Sequence, residues 1–246
     1  MGTANFHFHG ELNFFLPTKK RDVKFTHFFE ESASVKDAIE SLGVPHPEVA
    51  IILVNGESVD FSYLVKYGDE INVYPASATN NIIHYVSVQP EPLAVPRFVL
   101  DVHLGKLAAS LRMLGFDTLY RNDYGDEELA QISSSEKRIL LTRDTGLLKR
   151  GIVEYGYYVR QTNPEKQLVE VLQRFDIKKA VTPFKRCMRC NGLLEPVAKE
   201  TILDKLPPKT KEYIHDFHRC IDCKQIFWKG AHYDKMRQFV DEVLEN

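Results

Sequence analysis

Apolar and polar positions alternate over residues 5–16 and 23–29, as in Phe6-His7-Phe8-His9 and Val23-Lys24-Phe25-Thr26. A period of two predicts a strand in each. The segment Ser34-Val35-Lys36-Asp37-Ala38-Ile39-Glu40-Ser41-Leu42-Gly43 reads as a short helix, with Ser34 as N-cap and Gly43 just past its end. Val49 to Val54 is an apolar run that meets a turn at Asn55-Gly56, and Ile71 to Tyr74 is a further strand after Tyr67-Gly68-Asp69. Strands around one helix predict a small α+β domain over residues 1–75.

Pro75, Pro90, Pro92 and Pro96, with the run Ala76-Ser77-Ala78-Thr79-Asn80-Asn81, predict a linker over residues 76–96. Ile82 to Val86 is a candidate strand within it. Strand and helix patterns then alternate. Arg97 to Leu100 is a strand, and His103 to Leu114 has helical spacing that stops at Gly115. Thr118 to Tyr120 is a strand, Glu127 to Ser134 a helix and Arg138 to Leu141 a strand. Leu147 to Lys149 opens another helix, Tyr155 to Val159 is a fourth strand, and Pro164 to Phe175 is a final helix. This β-α-β-α order predicts an α/β domain over residues 97–180, built on a parallel sheet with flanking helices.

The chain has 246 residues, 43% hydrophobic and 27% charged, an ordinary globular composition. The start, Met1 to His7, lacks a basic segment followed by an apolar core, and no apolar run approaches the roughly 18–20 residues that span a bilayer. A cytoplasmic protein is the expectation. The net charge of −2 conceals an asymmetry. Residues 1–75 carry 6 Lys and Arg against 11 Asp and Glu, whereas residues 178–237 carry 14 against 7. A local basic excess suits a polyanion, and equally a solvated lysine-rich surface.

Asp101 directly follows the strand ending at Leu100, and Asp144 follows the one ending near Thr142. In a parallel sheet both lie at the carboxyl edge, where open α/β sheets bind ligands. Asp126 opens a helix, with Asp123 as its alternative. Three carboxylates in one place repel, and a divalent cation such as Mg²⁺ or Mn²⁺ relieves the repulsion and can activate water at a phosphate. Each acid also has an ordinary role as a helix cap or turn residue. The nucleophile pattern GxSxG and the P-loop pattern are both absent.

All four cysteines lie in Cys187-Met188-Arg189-Cys190 and Cys220-Ile221-Asp222-Cys223, two CxxC pairs separated by 29 residues. Such pairs close a tetrahedral Zn²⁺ site, so residues 181–246 are expected to form a zinc ribbon with a C-terminal helix. Arg186, Arg189, Arg219, Lys224 and Lys229 surround the pairs, beside Phe227 and Trp228. Cations grip phosphates and an aromatic stacks on a base. Packing in the ribbon core is the competing role, favoured for Phe227. Arg143, Arg186, Arg189, Lys224 and Trp228 are the expected nucleic-acid contacts, and His215, His218 and His232 are further candidates for metal or phosphate.

Several of these segments resemble one family. Phe98 to Ala108, Leu111-Arg112-Met113-Leu114-Gly115-Phe116-Asp117-Thr118, Arg138 to Asp144, Arg186 to Gly192, and Cys220 to Cys223 followed by Phe227-Trp228-Lys229-Gly230 are similar to the Mut-seven C-terminal RNase family. Its members are PIN-like nucleases with an appended zinc ribbon. The resemblance implies metal-dependent phosphodiester cleavage, with Asp101, Asp126 and Asp144 as the acids and Thr142 supporting the metal shell. Gly146 stands where many PIN-like sites carry a further acid, which leaves a three-acid centre or one completed by Asp123. Gly10 to Leu16, Val54-Asn55-Gly56 and Gly68-Asp69-Glu70-Ile71 resemble the ubiquitin-like β-grasp domain often joined to this nuclease. That implies a β-grasp fold for residues 1–75. Carrier chemistry needs a terminal Gly-Gly, and here Tyr74-Pro75-Ala76-Ser77 continues into the chain, so docking of a protein partner or substrate positioning is the expected role. The reading is a metal-dependent ribonuclease, set against a non-catalytic RNA-binding adaptor with a PIN-like fold and a β-grasp carrier or scaffold.

Overall fold

The structure, a computed structural model, describes residues 2–30, 33–81 and 85–245. Strands β1 (Gly2–Phe8) and β2 (Phe25–Phe29) precede helix α1 (Val35–Ser41), and β3 (Val49–Val54), β4 (Glu57–Ser58) and β5 (Glu70–Pro75) follow it. Next come β6 (Phe98–Leu100), α2 (Gly105–Met113), β7 (Thr118–Leu119), α3 (Asp126–Glu136), β8 (Ile139–Thr142), the single turn α4 (Thr145–Leu148), β9 (Gly156–Tyr158) and α5 (Pro164–Arg174). The last elements are β10 (Leu194–Pro196), α6 (Pro208–Tyr213), β11 (Phe217–Cys220), β12 (Ile226–Trp228) and α7 (Ala231–Glu245). The chain divides into two units, Met1–Ala94 with Gly125–Tyr158, and Val95–Tyr124 with Val159–Asn246.

In the first unit the sheet order is β2-β1-β5-β3-β4, with β1 and β5 parallel and the other neighbours antiparallel. This mixed sheet around α1 is the β-grasp arrangement. The period of two puts Ala4, Phe6 and Phe8 into the core against Val35 and Ile39 of α1 and Ile71 and Val73 of β5. Each such fully buried large side chain contributes roughly 1.5–3 kcal/mol. Ser34 caps α1 by accepting from the Asp37 amide, and Gly43 at φ +113 leads the chain out. The Asn55-Gly56 turn has φ of 51° and 89°, both left-handed.

The alternation over residues 5–16 overstates the first strand, which ends at Phe8. Gly10 turns at φ +54 and Gly10–Phe15 forms a 3₁₀ segment. The buried Asn13 side chain enforces this by donating to the Phe8 and Gly10 carbonyls and to Asp22. The candidate strand at Ile82 to Val86 begins at 82–84, outside the described residues.

The same unit contains α3, β8, α4 and β9. Strands β8 and β9 pair in parallel, Leu141 opposite Tyr157. The helix expected from Leu147 stops after one turn, because the Lys149 amide closes back on the Thr145 and Gly146 carbonyls and a turn at Arg150–Val153 follows. These elements are tied to the amino-terminal residues. His46 Nδ1 lies 2.6 Å from Glu40 Oε1 and its Nε2 lies 2.8 Å from the Val153 carbonyl. Glu48 accepts from the Tyr158 amide, and Lys149 Nζ donates to the Glu40 carbonyl.

In the second unit β6 and β7 pair in parallel, Phe98 opposite Thr118. Phe98 stands edge-on to Phe116 and Phe175, where α5 ends. Parallel strand pairs with flanking helices are the α/β class that the pattern implies. Strands β10, β11 and β12 form an antiparallel sheet, the ribbon. It is anchored to the end of α2, where the Thr182 and Phe184 amides donate to the Leu114 and Met113 carbonyls. Gly115, at φ +95, permits this approach; a Cβ there would lie 2.3 Å from the Thr182 carbonyl oxygen.

Candidate functional site

Asp101 follows β6 directly, caps a 3₁₀ turn and is 5% exposed; its Oδ1 accepts from the His103 amide at 2.8 Å. Asp144 stands two residues past the end of β8, after Arg143. Its Oδ1 accepts from the Gly146 and Leu147 amides, so it caps α4, while Oδ2 has no hydrogen bond among the described residues. Thr142 is fully buried, and its Oγ1 accepts from the Asp144 amide at 2.9 Å, which shapes the turn that presents Asp144. Asp126 is exposed and begins α3, but Gly125 is the N-cap. The Asp126 carboxylate therefore does not cap its helix. Its alternative, Asp123, is engaged by Arg121 at 2.6 and 2.8 Å, a pair that holds the Asp123 carboxyl below its usual range. Asp101 belongs to the second unit, and Asp126 and Asp144 to the first. Arg143 is half-buried with its guanidinium 5.9 Å from the Tyr158 ring centre.

The cysteines converge. Cys187 Sγ lies 3.6 Å from Cys223 Sγ, Cys190 Sγ lies 3.4 Å from Cys220 Sγ, and all four sulfurs lie within 4.8 Å of one another. Tetrahedral Zn²⁺ with Zn–S near 2.3 Å separates sulfurs by about 3.8 Å, so the set fits a structural metal ion such as zinc. Each knuckle closes with a left-handed residue after its second cysteine, Asn191 at φ 76° and Lys224 at φ 59°. A Cβ on Gly192 would lie 2.8 Å from Cys220 Sγ, so glycine leaves room for the sulfur. Burial pushes the Cys187 thiol up to about 12. Burial acts the same way on Cys190, but the Gly192 amide and the neighbouring thiols outweigh it and bring that group to about 7. Metal binding displaces the remaining thiol protons.

The expected RNA contacts fare differently. Arg186 is internal: it donates to the Asn191 carbonyl and approaches Asp117 at 3.5 Å. Lys224 Nζ donates to the Ile221 carbonyl. Arg189 is exposed, and its guanidinium has no partner among the described residues. Core packing, the competing role for both aromatics, falls to Trp228 rather than to the favoured Phe227. Trp228 faces Phe217 and packs on the small cluster of Ile202, Leu206 and Phe217, whereas Phe227 pairs opposite His218 on the other face.

Two residues without an expected role hold the first knuckle. Arg112 is 4% exposed and donates to the Met188 and Arg189 carbonyls, to Thr118 and to Tyr120. Burial lowers its pKa, and the Cys190 and Cys187 sulfurs oppose the shift. Asn191 accepts from the Thr118 amide and donates to Asp117. The available signal was an arginine on the apolar face of α2, between Leu111 and Leu114.

Parallel strand pairs with flanking helices, an acid directly after β6 and another two residues past β8, and a four-cysteine ribbon define a PIN-like α/β domain with an appended metal module. The chain belongs to the Mut7-C RNAse domain family, whose model matches residues 96–240. Residues 1–81 match the Mut7-C ubiquitin family model, so the two domains stand in the expected order. Neither a curated protein nor a solved structure matches the chain. Among the described residues no helix is long and apolar enough to cross a membrane.

Proposed function

We propose that the protein is a ribonuclease that hydrolyses phosphodiester bonds with Mg²⁺ or Mn²⁺ held by Asp101, Asp126 and Asp144, and that the zinc ribbon grips the RNA. The RNAse-family match over residues 96–240 supports the reaction class. The observation that carries the site is local: Asp101 directly follows one strand of a parallel pair, and Asp144 stands two residues past the end of a strand of another. The donor set is all carboxylate oxygen, which hard divalent cations prefer. Asp126 has no hydrogen bond or ion pair among the described residues, and Asp144 keeps Oδ2 available. A bound cation supplies an activated water and neutralises charge on the scissile phosphate. Thr142 fixes the Asp144 backbone, and the Gly146 and Leu147 amides fix Oδ1, so that this carboxylate is oriented before an ion arrives. The ubiquitin-like domain is assigned to protein docking or substrate positioning. A cytoplasmic setting, which keeps thiols reduced, suits the four free cysteines.

The test is cleavage of single-stranded and structured RNA and DNA with Mn²⁺, Mg²⁺ or EDTA. RNA is cut with metal and spared in EDTA, and Asp144→Asn lowers the rate on the order of 10²–10³-fold. Asparagine keeps the capping oxygen, so the fold stays. Full metal-dependent cleavage by Asp144→Asn, in a preparation free of contaminating nuclease, overturns the site. Binding without cleavage by the unaltered chain makes the protein an RNA adaptor instead.

A further inference from the structure

Two adjoining cavities, of about 280 and about 410 Å³, open between β12 and the start of α7 in the second unit. Their sizes lie around the lower end of small-ligand sites, roughly 300–1,000 Å³. They share a wall of Met188, Phe227, Trp228, Tyr233 and Met236. Three of these five are aromatic, and none is fully buried. The cleft is therefore lined with open ring and thioether surface rather than sealed into a core.

The cations around the rim are not equivalent. Arg186 is held by Asn191 and Asp117, and Arg237 is paired with Asp241. Lys229 beside the first cavity and Arg189 beside the second are exposed, and neither side chain has a hydrogen-bond or ion-pair partner among the described residues. Each compartment thus combines an apolar aromatic body with one uncommitted positive charge, in a segment that carries 14 Lys and Arg against 7 Asp and Glu.

That combination matches a flat, uncharged π surface joined to an anion. An apolar peptide leaves both cations unanswered, and a free anion makes no use of the aromatic wall. A base inside a duplex offers no open face. An unpaired nucleotide uses both features: the base stacks on an aromatic ring, and its phosphate meets a cation. We infer that this cleft takes two successive unpaired bases of an RNA strand, one in each compartment, with their phosphates on Lys229 and Arg189. The inference rests on the reading of the chain as an enzyme acting on RNA, and it names the substrate class as single-stranded.

Trp228 is the single tryptophan of the chain, so its fluorescence reports on the cleft directly. The zinc-loaded full chain carrying Asp144→Asn is titrated with a single-stranded oligoadenylate, with an abasic ribose-phosphate strand of equal length, and with a fully paired hairpin. The oligoadenylate changes the Trp228 emission and binds about thirtyfold or more tightly than the abasic strand, the lower end of the worth of two stacked bases; the hairpin behaves like the abasic strand. Phe227→Ala brings oligoadenylate binding down towards the abasic level, and Phe227→Tyr restores it. Zinc content shows whether Phe227→Ala retains the ribbon; where it does not, the comparison of strands on the unaltered cleft decides. Equal affinity for base-bearing and abasic strands overturns the inference, as does RNA binding that leaves Trp228 emission unchanged, and so does an absence of RNA binding. Cleavage by the unaltered chain is followed in parallel. Metal-dependent cleavage without base discrimination removes the cleft and leaves the nuclease, whereas base-dependent emission without cleavage upholds the cleft and removes the nuclease.

Discussion

Arg112 Nη1 donates to the Arg189 carbonyl at 2.9 Å, across 77 positions of sequence. A helix-borne guanidinium therefore holds the backbone of the first cysteine knuckle, and its Nε donates to the Thr118 carbonyl on β7. Neutral carbonyls make the arrangement possible, since they accept from the charge without a carboxylate in the interior. Arg112→Ala removes the donor from four carbonyls, that of Thr118 buried and the others partly so, and is expected to destabilise the second unit by at least about 3 kcal/mol, given roughly 1.5–3 kcal/mol for a bond to a charged group. Denaturant unfolding measures it; a change below about 1 kcal/mol shows that water replaces the guanidinium without penalty.

Purified protein is expected to contain about one Zn²⁺ per chain on Cys187, Cys190, Cys220 and Cys223. Cys187→Ser removes a buried ligand, so zinc is lost and the ribbon amides lose protection from hydrogen exchange, while the β-grasp sheet keeps its own core. Metal analysis and exchange mapping read both effects. A zinc-free protein with normal ribbon protection refutes a structural role for the metal.

Salt dependence separates the free cations from the engaged ones. Removing Arg189 and Lys229 together eliminates two phosphate contacts and is expected to reduce the slope of log binding constant against log salt by about 1.4 for a single strand. Lys224→Ala is expected to change the slope less, because the Lys224 ammonium already donates to Ile221. Equal effects of the two changes place the RNA elsewhere on the ribbon.

Burial lowers the pKa of His7, aided by His9, and that of His27, aided by Lys20. The folded state then binds fewer protons than the unfolded state, for which the reference is 6.5. Stability is complete above that value and is lost as pH falls through the lowered folded-state values. The thermal midpoint of the first unit is expected to drop on acidification from pH 7 towards 5, and His27→Gln should blunt the drop. A midpoint that rises over this interval reverses the assigned sign.

Where neighbours in sequence determine geometry, the fold was legible. Ser34 three residues before Asp37, Gly43 after its helix and Asn55-Gly56 between strands each act within a few residues. The cysteine pairs were legible for the same reason, since CxxC spacing presets each knuckle. The Gly10–Phe15 turn was not, because Leu12, Phe14 and Leu16 keep a strand-like alternation while Asn13 and Gly10 bend the chain. Trp228 rather than the favoured Phe227 packs on the ribbon core because the faces of β12 follow its register with β11, His218 opposite Phe227, and a motif does not encode register. Arg186 and Lys224 were read as available charges because their acceptors, Asn191 and Ile221, are backbone carbonyls that every sequence contains.

The order of the two units along the chain constrains how the protein can be made. The first unit is interrupted at Ala94 and resumes at Gly125, so a nascent chain cannot complete it until Tyr158 has left the ribosome. Glu48 waits 110 residues for the Tyr158 amide, and His46 waits 107 for the Val153 carbonyl. Until then the amino-terminal segment exposes the surface that those residues cover. A fragment beginning at residue 96 has the opposite defect, since it retains Val153 and Tyr158 without the acceptor and donor that hold them. Separating nuclease from ubiquitin-like domain by truncation thus removes the hydrogen bonds of His46 and Glu48 to Val153 and Tyr158, and point substitutions are the cleaner means of dividing their roles.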